Sequence, residues 1–406
     1  MKRVQRIPLL KDHHSHPFLY ATLAHCPDIS SVSNKSEALS RIRGSFSGEE
    51  IAVVMGWNDS YFGFAECELD LFPPLVIFNI SLHSLLINVG AREMLVGTFP
   101  ELVANFRDGA WVERNTAQVL NFILSMKPCS AGQLKSYFHR LARLGVWHAE
   151  EMSLKGAGEI ELFRAASLLD RTRFRTDLTT FETMTDAGQE QIYGIKLFAD
   201  GALGARSARL EQRYLSGAEG VLVYADEELF LLISRVFDVG KALAVHAIGD
   251  TAVDQVVRVL EQVANGRQGL GETRVEHCQF ISPHTARKAK SLGITLCMQP
   301  NFSLDSLCYR DRLPQGYCRL NNPFRMLLDE AGYAAGEDLL LGSDGMPHGV
   351  HCALESALFP PFPGQVLTLD EFVAGYCMSD YDNGYIDVVI DDVAGKVETQ
   401  VVLKEL

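Results

Sequence analysis

Long apolar stretches are missing from this chain of 406 residues. No run reaches the roughly 18 uncharged apolar residues that a membrane-spanning helix needs. The N-terminus, MKRVQRIPLL, begins with basic residues, but its apolar run at 7–10 contains Pro8. That run is too short for the core of a secretory signal peptide. The sequence therefore predicts no membrane partner and a cytoplasmic location.

An excess of positive charge is missing as well. The formal net charge is -14, which disfavours nucleic acid and anionic membranes as main partners. The nine cysteines form no C-x-x-C pair, and their odd number and irregular spacing do not indicate a disulfide framework. We expect free thiols in a reducing compartment. The remaining composition, 47% hydrophobic and 22% charged, is typical of a globular protein.

From about residue 140 onwards, short apolar runs alternate with amphipathic segments such as 227–239 and 252–263. This alternation is typical of βα units that build a parallel sheet. One further run near the N-terminus brings the number to eight, which predicts a (β/α)8 barrel of the α/β class. The eight runs are residues 7–16, 144–149, 172–177, 192–198, 242–246, 273–277, 294–298 and 339–342.

Two segments do not fit the βα alternation. Residues 18–140 contain their own strand-like runs at 51–57 and 75–80, and we interpret them as an insertion after the first barrel strand that caps the barrel mouth. The tail at 385–403 alternates apolar and polar residues around Ala394-Gly395, which predicts a hairpin. The expected organisation is therefore 1–17, first strand; 18–140, insertion; 141–380, remaining barrel; and 381–406, hairpin.

The candidate chemistry begins with the segment Asp12-His13-His14-Ser15-His16. Residues two apart in a strand point to the same side, so His14 and His16 could aim two imidazoles at one metal ion. Such a pair alone is weak evidence, because isolated His-x-His pairs are often structural. Four further polar residues, Lys196, His246, His277 and Asp344, follow or end other apolar runs. Each has an ordinary structural explanation, but the shared strand-end position predicts that all converge at the barrel mouth.

The sequence segments around these residues resemble those of the amidohydrolase superfamily, and more narrowly its YtcJ-like or amidohydrolase-3 branch. The similar segments are IKLFADGALGARSARL, VHAIGDTAVD, VEHCQFISP, MQPNFSLDSLCYRDRLP and LGSDGMPHG. They occur in the family's order and cover residues 140–360 densely. The likeness continues more loosely through Gly56-Trp57, residues 68–70 and His83.

The resemblance implies two divalent metal ions at the barrel mouth. His14, His16 and Asp344 would hold one ion, His246 and His277 the other, and Lys196 would bridge both as a carbamate. Zinc is the expected metal, with manganese, iron and cobalt as alternatives. If Lys196 keeps a bare amine, Asp200 or Glu150 could provide the bridge instead, or the site would hold a single ion.

The implied reaction is hydrolysis of a carbon–nitrogen bond in a small molecule, such as an N-acyl or N-formyl amine or a cyclic amide. Metal-activated hydroxide would attack, and Asp344 would act as general base and then acid. Further candidates for substrate contact or ligand support are His83, Asp200, Tyr309, Arg310, Arg312 and His348. Arg310 and Arg312 could clamp a substrate carboxylate, although a solvated loop explains both equally well. His348, with His351, could equally form a surface pair.

Two other functions stay open at this point. The same metal site could serve a non-hydrolytic isomerase or lyase, or the chain could be an inactive metal-binding homologue. Family members also usually begin with a strand-rich segment that completes a small β-sandwich, and only about ten residues precede His13 here. We therefore expect a truncated sandwich whose apolar face another subunit could cover, as in a homodimer.

Overall fold

The computed structural model describes residues 2–44, 46, 51–267 and 269–404. Its strands are β1 (Lys2–Pro8), β2 (Leu10–Ser15), β3 (Ala52–Trp57), β4 (Leu75–Asn79), β5 (Leu85–Ile87), β6 (Val146–Leu154), β7 (Phe174–Thr176), β8 (Ile192–Phe198), β9 (Ala242–Ala247), β10 (Thr273–His277), β11 (Thr295–Met298), β12 (Leu339–Leu341), β13 (Gly384–Asp391) and β14 (Lys396–Leu403).

The helices connect these strands and cover the outside of the barrel. They are α1 (Pro17–Leu23), α2 (Lys35–Gly44), α3 (Glu66–Leu69), α4 (Val89–Leu95), α5 (Pro100–Asn105), α6 (Gly109–Arg114), α7 (Thr116–Met126), α8 (Ala131–Arg143), α9 (Ala157–Ala165), α10 (Leu178–Thr183), α11 (Asp186–Gln191), α12 (Asp226–Asp238), α13 (Asp250–Gly266), α14 (Pro283–Ser291), α15 (Asp305–Cys308), α16 (Tyr317–Leu320), α17 (Val350–Leu358) and α18 (Leu369–Tyr376). No helix among the described residues has the length and apolar composition needed to cross a membrane.

Eight strands form one parallel sheet in the order β12-β11-β10-β9-β8-β7-β6-β2, with helices between successive strands. The predicted (β/α)8 barrel of the amidohydrolase type is confirmed. Its core consists of buried aliphatic side chains from the strands and the surrounding helices, such as Ile195, Val245 and Val275 from the strands and Val256 and Leu260 from α13. Because these strands are buried on both faces, their sequences are continuous apolar runs, and they could be predicted from the sequence.

The barrel closes between β2 and the segment that follows β12. The Asp12 carboxylate accepts hydrogen bonds from the backbone N–H of Ser343 at 2.9 Å and from its hydroxyl at 2.5 Å. The Asp344 N–H donates to the His14 carbonyl oxygen at 2.7 Å. A buried side chain thus replaces part of the strand ladder and fixes the position of Asp344 relative to His14.

The first apolar run, predicted as one strand at 7–16, is two strands in two sheets. β1 pairs antiparallel with β13 in a three-stranded sheet, whereas β2 pairs with β6 in the barrel. The change of partner occurs at Leu9 and Leu10. The Leu9 carbonyl oxygen accepts from the Met378 N–H, and the Leu10 N–H donates to the Gly145 carbonyl oxygen. Pro8 ends β1 and has no N–H to continue the ladder.

The predicted hairpin is formed by β13 and β14, which pair antiparallel, and the homodimer stays a prediction. Side chains of β13 and β14, including Ile386, Val388 and Val397, are buried in the same hydrophobic core as Val350 and Leu354 of α17. The apolar face of the small sheet therefore packs against the barrel of its own chain. β1 supplies a third strand from the short N-terminal segment.

Between β2 and β6, an inserted unit has its own sheet, β3-β4-β5, and two hydrophobic clusters. Strands β3 and β4 coincide closely with the two runs predicted there. The insertion reaches the barrel mouth in two ways. The turn between β4 and β5 presents His83, and helices α6 and α7 present Glu113 and Val119 to the cleft over the barrel.

Candidate metal centre

Three predicted ligands, His14, His16 and Asp344, come together at the carboxyl ends of β2 and β12. The Asp344 Oδ1 atom lies 3.6 Å from His14 Nε2 and 3.3 Å from His16 Nε2. One ligand atom from each side chain can be chosen so that all three lie within 4.8 Å of one another. Two nitrogens and one carboxylate oxygen at this spacing suit a divalent transition-metal ion.

The backbone of Asp344 adopts an unusual conformation that its neighbours hold in place. Its φ angle is 56°, in the left-handed region that few residues other than glycine adopt. The Tyr20 hydroxyl donates to the Asp344 carbonyl oxygen at 3.1 Å. The Asn301 amide donates to the carbonyl oxygens of Ser343 at 3.0 Å and Met346 at 2.7 Å. Strain held by surrounding hydrogen bonds is common at functional sites.

His246, His277 and Lys196 stand beside the first three residues. The His277 ring centroid is 4.6 Å from the rings of both His14 and His246. The Lys196 Nζ atom lies 3.5 Å from His14 Nε2. Lys196 is inside β8 and His246 precedes the last residue of β9, so these two lie slightly before the strand ends at which they were expected.

Each of three histidines uses one ring nitrogen in a contact away from the centre. His14 Nδ1 lies 2.6 Å from the Glu276 carboxylate, and His277 Nδ1 lies 2.8 Å from the Gln299 amide oxygen. His246 Nε2 lies 3.1 Å from the Gly201 carbonyl oxygen. The opposite ring nitrogens remain as ligand atoms, because such outer contacts fix the tautomer of a metal-binding imidazole.

Glu276 and Gln299 were missed by the sequence reasoning. Both lie in segments that carry the family resemblance, VEHC and MQPN. A histidine that binds a metal usually has a hydrogen-bond partner on its other ring nitrogen, and a search for such partners could have found them. Glu276 also accepts from Arg274 Nε at 2.8 Å. Glu150, considered as a bridging ligand, instead pairs with Arg175 and Arg274 in the buried barrel interior.

The electrostatics favour the ligand forms of these side chains. Burial, followed by the charge of Lys196, lowers the pKa of His14 to about 4, and burial lowers the pKa of His246 and His277 as well. Burial raises the pKa of Asp344, but His16 and the nearby histidines outweigh it, and the pKa falls below its usual range. His14, His246 and His277 are therefore neutral and Asp344 is an anion, as metal ligands must be.

Burial also lowers the pKa of Lys196 to about 8. A neutral amine is the form that reacts with carbon dioxide, so this environment fits a carbamate. In addition, the buried Nδ1 atom of His16 has no hydrogen-bond partner, and the nearest carboxylate oxygen, of Glu151, is 3.9 Å away. The donor set and its protonation states thus fit a divalent metal ion.

A narrow cleft opens above these residues. We call it the metal-facing cleft; it is bordered by His14, His16, Lys196, His246, His277 and Asp344 below and by the insertion above. A second cavity, the outer chamber, adjoins it and is bordered by Asn58, Gln279, Asn301, Asp305 and Tyr309, among others. His83, His246 and Asp344 border both cavities.

Of the further candidates, His83, Tyr309 and Asp200 lie at or beside the site. The His83 ring centroid is 5.8 Å from that of His246. Tyr309 borders the outer chamber. The Asp200 carboxylate accepts from the backbone N–H groups of Ile248, Gly249 and Arg209, and its Oδ1 lies 3.5 Å from His246 Nε2. It therefore holds the loop after β9 in position and is not oriented as a metal bridge.

Of the other three candidates, Arg312 and His348 are held by hydrogen bonds, and Arg310 lies away from both cavities. Arg312 is buried, and its guanidinium donates to Asp59 at 3.1 Å and to the Gly204 carbonyl at 2.6 Å. Arg310 is exposed and borders neither of the two cavities. His348 is partly buried rather than on the surface. Its nitrogens lie 2.7 Å from the Ser15 hydroxyl and 3.1 Å from the Tyr137 hydroxyl.

Curated proteins with similar sequences are known. The chain is 30% identical over 205 residues to the "Putative amidohydrolase YtcJ" of Bacillus subtilis, covering 47% of this chain and 38% of that protein. It is 30% identical over 171 residues to "Protein LONG AFTER FAR-RED 3" of Arabidopsis thaliana, covering 38% of this chain and 29% of the relative. The matched regions therefore span well under half of either relative.

Two solved structures share the fold. An uncharacterized metal-dependent hydrolase from Pyrococcus furiosus aligns with a TM-score of 0.64 and 21% identity, covering 92% of this chain and 80% of the other. Its counterpart from Pyrococcus horikoshii aligns with a TM-score of 0.64 and 20% identity, covering 92% and 77%. The model of the Amidohydrolase family, Amidohydro_3, matches residues 7–356. Because this match includes most of the chain, the protein belongs to the Amidohydrolase family.

Proposed function

We propose that this protein is a metal-dependent hydrolase that cleaves a carbon–nitrogen bond in an amide, an N-acyl or N-formyl amine, or a cyclic amide. The observation that supports this most directly is the convergence of His14, His16 and Asp344 within ligand distance at the mouth of an amidohydrolase barrel. His246, His277 and Lys196 adjoin them.

In this proposal, His14, His16 and Asp344 would hold one divalent ion, His246 and His277 would hold a second, and Lys196, as a carbamate, would be a ligand shared by the site. When bound, such ions lower the pKa of a water molecule and polarise the substrate carbonyl. Zinc suits these nitrogen and oxygen donors, and manganese, iron or cobalt are alternatives for the test.

The side chains of the protein supply proton transfer and orientation. The Asp344 carboxylate, an anion at neutral pH, accepts the proton of the attacking water and delivers it to the nitrogen that leaves as the C–N bond breaks. His83 faces the same region from the insertion and donates a hydrogen bond to the substrate oxygen. The insertion reduces the access of bulk water, which strengthens both interactions.

The experiment combines metal analysis with a substrate screen. Protein produced with added zinc, and separately with manganese, is analysed by plasma emission and then assayed against a library of amides, N-acyl amines, cyclic amides and esters. We expect close to two ions per chain and turnover of amides. Less than one ion per well-folded chain contradicts the two-metal site. Full metal content without hydrolysis of any amide favours a non-hydrolytic reaction or an inactive homologue.

A further inference from the structure

The insertion gives the metal-facing cleft an apolar wall. Side chains from α1, the turn before β5, and helices α6 and α7 form it: Leu19, Leu82, Val112, Val119 and Leu120. Most of them also belong to the hydrophobic cluster of the insertion or pack against it. The wall is therefore backed by a packed core and keeps its shape without a ligand.

Cationic side chains are scarce in the same space: among the described residues that border the metal-facing cleft and the outer chamber, Lys196 is the only lysine or arginine. The arginines nearby are already paired: Arg206 lies 2.6 Å and Arg312 3.1 Å from the Asp59 carboxylate. Arg140 borders a third cavity, which adjoins the metal-facing cleft at Leu82 and Met346, and its guanidinium lies 4.8 Å from the Tyr137 ring centroid.

Acidic groups, by contrast, border the cleft and the outer chamber. Glu113 is buried and hydrogen-bonded to His83 Nδ1, so its carboxylate already accompanies the imidazole at this end of the cleft. In the outer chamber, Asp305 accepts a hydrogen bond from the Gln279 amide at 2.9 Å, burial raises its pKa to about 7, and no lysine or arginine is among the described residues that border the chamber. A substrate carboxylate at either end would lose hydration without a cationic partner.

From this wall and this charge arrangement we infer the substrate class: an uncharged amide with an apolar arm that lies against Leu19, Leu82, Val112, Val119 and Leu120, and with no carboxylate. The inference rests on the proposed hydrolase function, because it treats the metal-facing cleft as the place of the scissile bond. The polar end of the substrate lies in the outer chamber, where Asp305 and Asn301 favour groups that donate hydrogen bonds.

The size of the effect follows from the apolar wall. Each methylene group buried against it strengthens binding by about fourfold. An arm of the same length that ends in a carboxylate loses this gain and leaves an unpaired anion in the cleft. Two ligands matched in length and differing only at the end of the arm therefore separate the classes.

The test uses two ketones that cannot be hydrolysed and the metal-loaded, full-length protein. Benzyl butyl ketone carries an apolar arm, and the benzyl ketone with a propionate arm has the same chain length and an anionic end. Titration calorimetry should give a dissociation constant at least about tenfold lower for the butyl compound. Equal or tighter binding of the propionate compound, or binding of neither, would overturn the inference.

Variants of Leu120, a partly buried wall residue on α7, make the test specific. Leu120→Ala should weaken binding of the butyl ketone several-fold and leave the propionate ketone nearly unchanged. Leu120→Arg should shift the preference towards the propionate ketone, whereas Leu120→Met, of similar volume, should keep the wild-type preference. If Leu120→Arg does not fold, the alanine and methionine variants still decide the outcome.

Hydrolysis is measured separately with the pentanoyl anilide, the amide that corresponds to the butyl ketone. Preference between the ketones without hydrolysis of any amide would contradict the proposed reaction and support the ligand class. Hydrolysis of amides with equal or better use of the succinyl anilide would support the reaction and contradict the ligand class.

Discussion

The Nδ1 atom of His83 lies 2.8 Å from the Glu113 carboxylate, joining the turn before β5 to helix α6 beside His246. The second oxygen of Glu113 accepts from the Ser207 hydroxyl at 2.5 Å, so the insertion is also bonded to the loop after β8. A Cβ atom at Gly201 would lie 2.3 Å from Glu113 Oε1, and this close approach requires glycine. The barrel and the insertion thus position His83 together.

Replacing Glu113 with glutamine should reduce kcat/KM by about tenfold or more, because His83 loses its charged partner. Burial lowers the pKa of His83, but Glu113 outweighs it and raises the pKa above its ordinary value. If protonated His83 binds the substrate oxygen, activity falls as pH rises through that pKa. In Glu113→Gln, this alkaline decline should move to lower pH. The exposed Glu93→Gln is the matched control, and an unmoved pH profile would contradict this role.

Replacing Asp344 with asparagine should leave the fold intact and reduce kcat by about 10²–10⁴-fold, since the carboxylate that moves the proton is lost. Circular dichroism checks the fold, and metal analysis of the same sample separates loss of the base from loss of the ion. The exposed Asp170→Asn serves as control. Near-wild-type kcat on a verified substrate would show that Asp344 is not the base.

Removing Lys196 should abolish metal binding and activity together. The amine is buried beside His14, and an ammonium there would repel two cations strongly. Added propionate should restore part of both properties in Lys196→Ala by supplying the missing oxygens, and the exposed Lys135→Ala should need no rescue. A crystal structure with a bare Lys196 amine beside two fully occupied ions would contradict the carbamate.

Asn301 should be required for the strained conformation of Asp344. In Asn301→Ala, the carbonyl groups of Ser343 and Met346 lose their donor, and the free energy of unfolding should fall by about 1–3 kcal/mol. Chemical denaturation measures this change, and kcat should fall with it because Asp344 is less well positioned. Asn105→Ala, which removes an exposed bond to a backbone carbonyl, is the control. Unchanged stability and kcat would exclude this positioning role.

The sequence alone determined the barrel and the set of residues at its mouth. The eight strands are buried on both sides and therefore appear as apolar runs, and parallel connections place all their carboxyl ends on one face. His14, Lys196, His246, His277 and Asp344 could be selected because each stands at or near such an end. Their metal-binding roles remain a prediction, although the structure places them together.

Only the tertiary structure decided which polar groups are free. The sequence allows Arg312 to bind a carboxylate, but in the structure its guanidinium donates hydrogen bonds to Asp59 and to the Gly204 carbonyl. His348 is hydrogen-bonded to Ser15 and Tyr137. Likewise, the pairing of His83 with Glu113 joins residues 30 positions apart through the packing of the insertion. The local pattern of apolar and polar residues indicates where strands and helices form. Hydrogen bonds between residues distant in the chain depend on how these elements pack.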